Sequence, residues 1–152
     1  MNKDFNVADD ILSSTLLPVV KSGAAPDTNC AAVDGRGFQE VVHAVHLGNS
    51  GDTLSGSIKV ECELEESNDN SSWNDVAQTD LTNAVTGTNP GCFGVIDDGA
   101  EDSQFYWTEY RGKKRYTRVV LNFTGTHTVG IPCAAWALRR GPQYVPSVGG
   151  SW

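Results

Sequence analysis

The sequence predicts an all-β domain, an antiparallel β-sandwich of jelly-roll-like form, and three observations carry that expectation. The run SIKVECELEES alternates strictly, with Ile58, Val60, Cys62 and Leu64 pointing one way and Lys59, Glu61, Glu63 and Glu65 the other. That is the period of a strand with one face in a core and one toward water. Further strand-like runs recur at short spacing, separated by clusters of Gly, Asn, Asp and Ser, which are turn residues. Helical periodicity is weak throughout, and a chain of 152 residues with about six to eight short strands forms its core most readily between two packed sheets.

At this length one domain suffices. The 39% hydrophobic content is low, as befits sheets that keep one face wet. The organisation reads as an N-terminal arm over 1–25, a sandwich domain over 26–141 and a C-terminal tail over 142–152.

In the arm, VADDILSSTLLPVV places Val7, Ile11, Leu12 and Leu16 near helical spacing. Ser13, Ser14 and Thr15 are poor helix formers and Pro18 ends any helix, so the arm is partly helical or extended. It either packs on its own domain or reaches a neighbour. Residues 38–47 are Val-rich and suit a largely buried strand. The alternating strand at 57–65 follows, with Glu61, Glu63 and Glu65 as an acidic stripe on its wet side. SNDNSSWNDV is a turn cluster leading to Trp73 and Val76. Residues 77–104 read as a long polar loop with one short strand at CFGVI. QFYWTEY and KRYTRVVLNF are two strands of a hairpin whose turn contains Gly112. GTHTVG turns the chain back, and IPCAAWALRR is the last strand. The tail GPQYVPSVGGSW, with its prolines and glycines, lies extended on a surface.

The chain carries a net charge of −8, yet five of its eleven basic residues gather between Arg111 and Arg118: Arg111, Lys113, Lys114, Arg115 and Arg118. With Tyr106, Trp107, Tyr110 and Tyr116 nearby, a stacking surface for single-stranded nucleic acid is conceivable. The same composition arises where Arg stems cover a sheet and pair with acids. The acidic balance opposes a phosphate backbone, so the basic segment is expected to serve protein contacts, with the glutamate stripe as its partner and no nucleic acid.

No apolar run approaches the roughly 20 residues that span a bilayer, and MNKDFNVADD lacks a basic-then-apolar leader, which predicts cytoplasmic synthesis and no membrane partner. The four cysteines, Cys30, Cys62, Cys92 and Cys133, include no close pair of the zinc-binding type. Cys62 and Cys133 sit in strand patterns as small core residues, and free thiols are expected. His43 and His46 fall on opposite faces of one strand and cannot share a metal; His127 lies in a turn. No nucleophile elbow, phosphate loop or dinucleotide fingerprint is present. Carboxylates gather in loops at Asp69, Asp75, Asp97, Asp98, Glu101 and Asp102, a calcium-compatible chemistry without the EF-hand spacing. No catalytic, cofactor-binding or metal residue is therefore assigned, and no enzyme activity is expected.

Three segments in order, ECELEESNDNSSWNDV, YRGKKRYTRVVLNFTGTHT and IPCAAWALRRGPQYVP, resemble the small capsid decoration, or cement, proteins of tailed bacteriophages. The resemblance spans about residues 38 to 146 and is weakest between 77 and 104. It implies a non-enzymatic β-rich protein, synthesised in the host bacterial cytoplasm and resident in the virion on the outer surface of the capsid. It also implies the major capsid protein as partner and self-association, commonly as a homotrimer. Apolar groups near the chain ends and the basic turn then supply the candidate interface: Phe5, Val7, Ile11, Leu12, Arg111, Lys113, Lys114, Tyr144 and Trp152. The alternatives are another virion component, of tail or head–tail connector, or a carbohydrate- or host-binding β-sandwich module.

Overall fold

A computed structural model describes residues 10–143. Ten strands run in the order β1 (Ile11–Ala24), β2 (Thr28–Asn29), β3 (Val33–Asp34), β4 (Phe38–Leu47), β5 (Lys59–Ser67), β6 (Asn74–Asp75), β7 (Cys92–Ile96), β8 (Gln104–Tyr110), β9 (Tyr116–Thr124) and β10 (Thr126–Pro142). One sheet has the order β1-β10-β4-β8; the second is built on β2-β9-β5-β6, with β3 also on β9 and β7 also on β5. All pairings are antiparallel. Counted as one interrupted strand, β2 and β3 complete two four-stranded sheets between which the chain crosses repeatedly. This is a jelly-roll sandwich, with the two-residue β6 as an addition.

The inner faces meet in one core. Val45, Leu47, Ile131 and Ala135 of the first sheet pack with Val60, Cys62, Leu64, Val119, Leu121 and Phe123 of the second. The alternation expected for β5 holds on its inner side, where Val60, Cys62 and Leu64 are fully buried. All four cysteines are free and buried. Burial pushes the thiols up, Cys30 to about 12 and Cys133 to about 11, so they stay protonated and unreactive at neutral pH.

The structure departs from the sequence reading in four places. Residues 11–24, set apart from the sandwich as an arm, belong to it: they are extended and packed on their own domain, one of the alternatives expected, and pair with β10 from Ile11↔Arg139 to Ala24↔Thr126. The pairing carries three register shifts, at Ser14/Leu16, Leu16/Val19 and Lys21/Gly23, and such bulges break the period-two pattern by which a strand is read. QFYWTEY and KRYTRVVLNF do not form a hairpin: β8 pairs with β4 and β9 with β5, so their connection arches from one sheet to the other. Gly112 permits the arch, because a Cβ there would lie 2.3 Å from the Tyr110 hydroxyl. GTHTVG is not a turn throughout: Gly125 alone separates β9 from β10, and Thr126 to Gly130 already belong to β10. Finally, the outer side of β5 is not an open wet stripe, since Glu61 and Glu63 are buried beneath the segment that runs from β6 to β7.

Candidate functional site

The predicted interface residues divide into three groups. Phe5, Val7, Tyr144 and Trp152 lie outside the described residues. Ile11 and Leu12 stand on β1, an outer strand of the first sheet, and are 42% and 68% exposed. Arg111, Lys113 and Lys114 occupy the arch between β8 and β9.

On β1, the exposed apolar row is longer than the sequence suggested. Leu17, Val19 and Val20 are exposed as well, Leu17 at 73%. Outer strands ordinarily protect themselves with charge, proline or bulges. Here Pro18 and the register shifts irregularise the edge, but Lys21 is the only charged residue within β1.

The outward face of the first sheet continues this apolar character toward its other edge. Leu12, Leu138 and Val42 stand in one cross-strand row, which ends on Glu109 of β8, and Ser14, Trp136, Ala44 and Trp107 stand in the next. The next row brings Ala134, His46 and Phe105 together. Phe105 lies 4.5 Å from the His46 ring and 6.0 Å from Trp136 between ring centroids. Phe105 and Trp107 remain 64% and 47% exposed. The sequence reading missed this ledge, although strand alternation in QFYWTEY contains it: Phe105 and Trp107 must share a face if Tyr106 and Tyr110 share the other.

That same alternation dissolves the aromatic surface considered for nucleic acid. Tyr106 and Tyr110 enter the sandwich, Trp107 faces outward on the first sheet, and Tyr116 belongs to the second. The basic residues are largely engaged. Arg115 grips Asp34 through two nitrogens, at 3.0 and 2.6 Å. Arg118 holds Glu65 at 2.6 Å and lies 4.3 Å over the Trp73 ring. Lys114 stands 3.7 Å from Glu66 and Arg111 4.0 Å from Glu109. Of the expected glutamate partners, Glu65 alone faces this cluster; Glu61 is held by Lys59 at 2.9 Å.

The second sheet's outer side contains a tight carboxylate group. Oxygens of Glu63, Glu65 and Asp75 lie within 4.8 Å of one another. Glu63 accepts hydrogen bonds from the Asn89 amide at 3.0 Å and from the Asn122 amide. Burial, reinforced by the neighbouring Asp75, raises its carboxyl to about 7 despite those amides. The group fits a hard cation poorly. Calcium requires six to eight oxygen ligands, whereas Arg118 already claims Glu65 and two amides claim Glu63. The Asn89 and Asn122 amides on Glu63 and the Arg118 clamp on Glu65 account for the arrangement instead.

The other loop carboxylates fasten backbone. Asp69 accepts from the Ser71 and Ser72 N–H groups, at 2.9 and 2.7 Å, which holds its carboxyl down at about 2. Glu101 accepts from the Asp97 and Asp98 N–H groups, and Asp102 from Ser50. Asp52 caps the Thr128, Val129 and Gly130 N–H groups. Much of the chain's acidity thus replaces missing sheet partners at turns.

His43 and His46 do face opposite ways. His43 is fully buried, 2.8 Å from the Thr117 hydroxyl, and burial lowers its ring to about 4, so it is neutral. His127 is also fully buried, against the Thr124 carbonyl and edge-on to Phe123, rather than in an open turn. Among the described residues the hydroxyl in hydrogen-bond reach of a histidine ring is that of Thr117, and a pair enclosed in the core offers no access to substrate.

No protein-family model matches the chain, and no curated protein matches it. Among solved structures, it is similar to the CBM22-1–GH10 modules of the Clostridium thermocellum N-terminal endo-1,4-beta-D-xylanase 10B, complexed with xylohexaose. The identity is 14%, the TM-score 0.44, and the match covers 88% of this chain and 25% of that one. The chain thus spans about a quarter of that protein's length, and a likeness at this level carries no argument about function.

Proposed function

We propose that this protein is a structural virion component that binds the outside of a phage capsid and stabilises it by bridging capsid subunits. The observation that carries the reading is the run of exposed apolar side chains along the edge strand β1, on both of its faces: Ile11, Leu12, Leu17, Val19 and Val20. Five large apolar side chains within ten residues of an outer strand are costly in water. Burial from full exposure contributes about 1.5–3 kcal/mol for such a side chain; these are partly covered already, so a neighbouring surface gains a fraction of that from each, a modest affinity per copy. The resemblance of the three sequence segments to cement proteins supplies the identity of that surface. The fold does not choose by itself, because jelly rolls serve capsid and lectin domains alike.

The test uses heads of the cognate phage stripped of this protein. Full-length chain is expected to rebind them to saturation, and Leu12→Asp with Leu17→Asp to lower occupancy at least about tenfold, which corresponds to about 1.4 kcal/mol. Both positions are exposed, so circular dichroism of the variant should match the parent. Unchanged occupancy removes the β1 row from the interface, and no binding by the parent chain removes the capsid reading.

A further inference from the structure

The sheet edge opposite β1 carries a second feature that capsid docking does not use. Between the 82–86 loop, the middle of β7 and the first half of β8 lies an open cleft of about 700 Å³, lined among others by Asn83, Val85, Glu101, Phe105, Tyr106 and Trp107. We propose that this cleft binds a neutral sugar ring of an extended glycan, with Phe105 and Trp107 as the stacking surface.

Three properties of the cleft point to that ligand. The Phe105 ring is braced by His46 and Trp136 on its own sheet face yet remains exposed, so a planar apolar surface is presented with little side-chain freedom left to lose. A sugar ring is a flat apolar patch edged with hydroxyls, and beside the aromatic pair the lining carries the Thr86 hydroxyl and Asn83, whose amide nitrogen donates to the Trp107 carbonyl so that its oxygen is the group on offer. Charge selects neutrality. Glu101 is the only ionisable carboxylate in the lining, and it is committed to the Asp97 and Asp98 N–H groups. With Asp97, Asp98 and Asp102 close by in sequence and no basic residue in the lining, phosphate and other anionic ligands are repelled.

A peptide strand added to β8 is the competing occupant, and the edge disfavours it. The Trp107 carbonyl already accepts from Asn83, the Glu109 carbonyl from Thr82 N–H, and the Arg111 N–H donates to Asp80. Strand addition needs a run of vacant main-chain groups, and these bonds interrupt the edge from the Trp107 carbonyl to Arg111, leaving only the short stretch before Trp107.

The experiment titrates the full-length protein by calorimetry and tryptophan fluorescence. The probes are hexamers of β-linked glucose, α-linked glucose and β-linked N-acetylglucosamine, with a Thr-Val octapeptide as the strand probe. Each is taken to about 10 mM, enough to saturate a Kd of about 1 mM. At least one hexamer is expected to bind, with Trp107→Ala and Phe105→Ala each weakening it about tenfold or more and Leu12→Asp with Leu17→Asp leaving it unchanged. Silence from all three hexamers overturns the proposal, as does binding indifferent to both aromatic substitutions. A response to the octapeptide alone transfers the cleft to a protein partner and also overturns it. Because the glycan titration needs no capsid, its failure and a failure of the docking reading are separate results.

Discussion

Two buried titratable groups set opposing pH dependences, and neither was visible as such in the sequence. His43 has a folded value lowered to about 4, so between 4 and the ordinary 6.5 of histidine the unfolded chain binds the extra proton. Its contribution to stability is full above pH 6.5 and is lost as pH falls toward 4. Glu63 has a folded value raised to about 7, so between the ordinary carboxylate value and 7 the folded chain binds the extra proton. Its contribution is present at low pH and is lost as pH rises through 7. One group of each kind changes stability by at most about 1.4 kcal/mol per pH unit, so the two largely cancel between pH 4.5 and 6.5. Denaturant unfolding across that window should be nearly flat for the parent. Glu63→Gln should leave a slope of rising stability with pH, and His43→Gln a falling one. Slopes of the same sign in both variants would show that other groups govern the window. The sequence reading puts His43 and His46 on opposite faces of one strand, as the structure has them, but it puts Glu63 on a wet face, because burial of Glu63 depends on the 77–91 segment folding over β5, a contact between residues far apart in sequence.

At the scale of elements, what was legible followed from period-two alternation, and what was not followed from long-range pairing. The strand expected over 38–47 is β4, CFGVI is β7, and the inner side of 57–65 is as read, because local pattern decides which side of a strand is apolar. The arch from β8 to β9 was mistaken for a hairpin because a short glycine-containing link between two strands reads alike in both cases; only the sheet assignment separates them. The segment 11–24 was obscured by its bulges. The aromatic ledge was legible in part, since alternation pairs Phe105 with Trp107, while the approach of Trp136 depends on β10 lying two strands away. Two predictions belong here. Gly125, at φ +78°, has no room for a side chain, since a Cβ would fall 2.2 Å from the Ser57 carbonyl. Gly125→Ala should therefore destabilise by more than about 2 kcal/mol, read as a fall in the denaturation midpoint, and a change within error would show that the β9–β10 turn rearranges freely. Arg118 bonds Glu65 and lies over Trp73, so Arg118→Ala should cost about 1–2 kcal/mol. Its loss, and that of Lys113 and Lys114, should have no counterpart in DNA affinity. Tight DNA binding with a steep salt slope, abolished by Lys113→Ala with Lys114→Ala, would return the basic arch to nucleic acid.

For the whole molecule, the two edges of the first sheet divide the labour proposed here: β1 toward the particle, β8 toward the surroundings. A single copy docking through five apolar side chains gains modest affinity once the cost of immobilisation is subtracted. Repetition changes that. Three chains held together raise the effective concentration of the second and third contact, so avidity exceeds single-site affinity by about 10²–10⁴. Self-association as a homotrimer is therefore part of the proposed role, and it gives a measurement on the purified chain. Sedimentation equilibrium should return three times the 16.3 kDa chain mass at micromolar concentration or on the particle surface. Stripped heads, decorated heads and heads bearing the β1 variant are then heated side by side while DNA release is followed. Decorated heads should release DNA at a temperature several degrees above stripped ones, and variant heads should behave as stripped. Equal release temperatures for stripped and fully decorated heads would remove reinforcement from the protein's role, even with every β1 contact in place. A strictly monomeric chain in solution and on the particle would leave docking to one copy at a time, and the β1 row would then have to supply the whole affinity unaided.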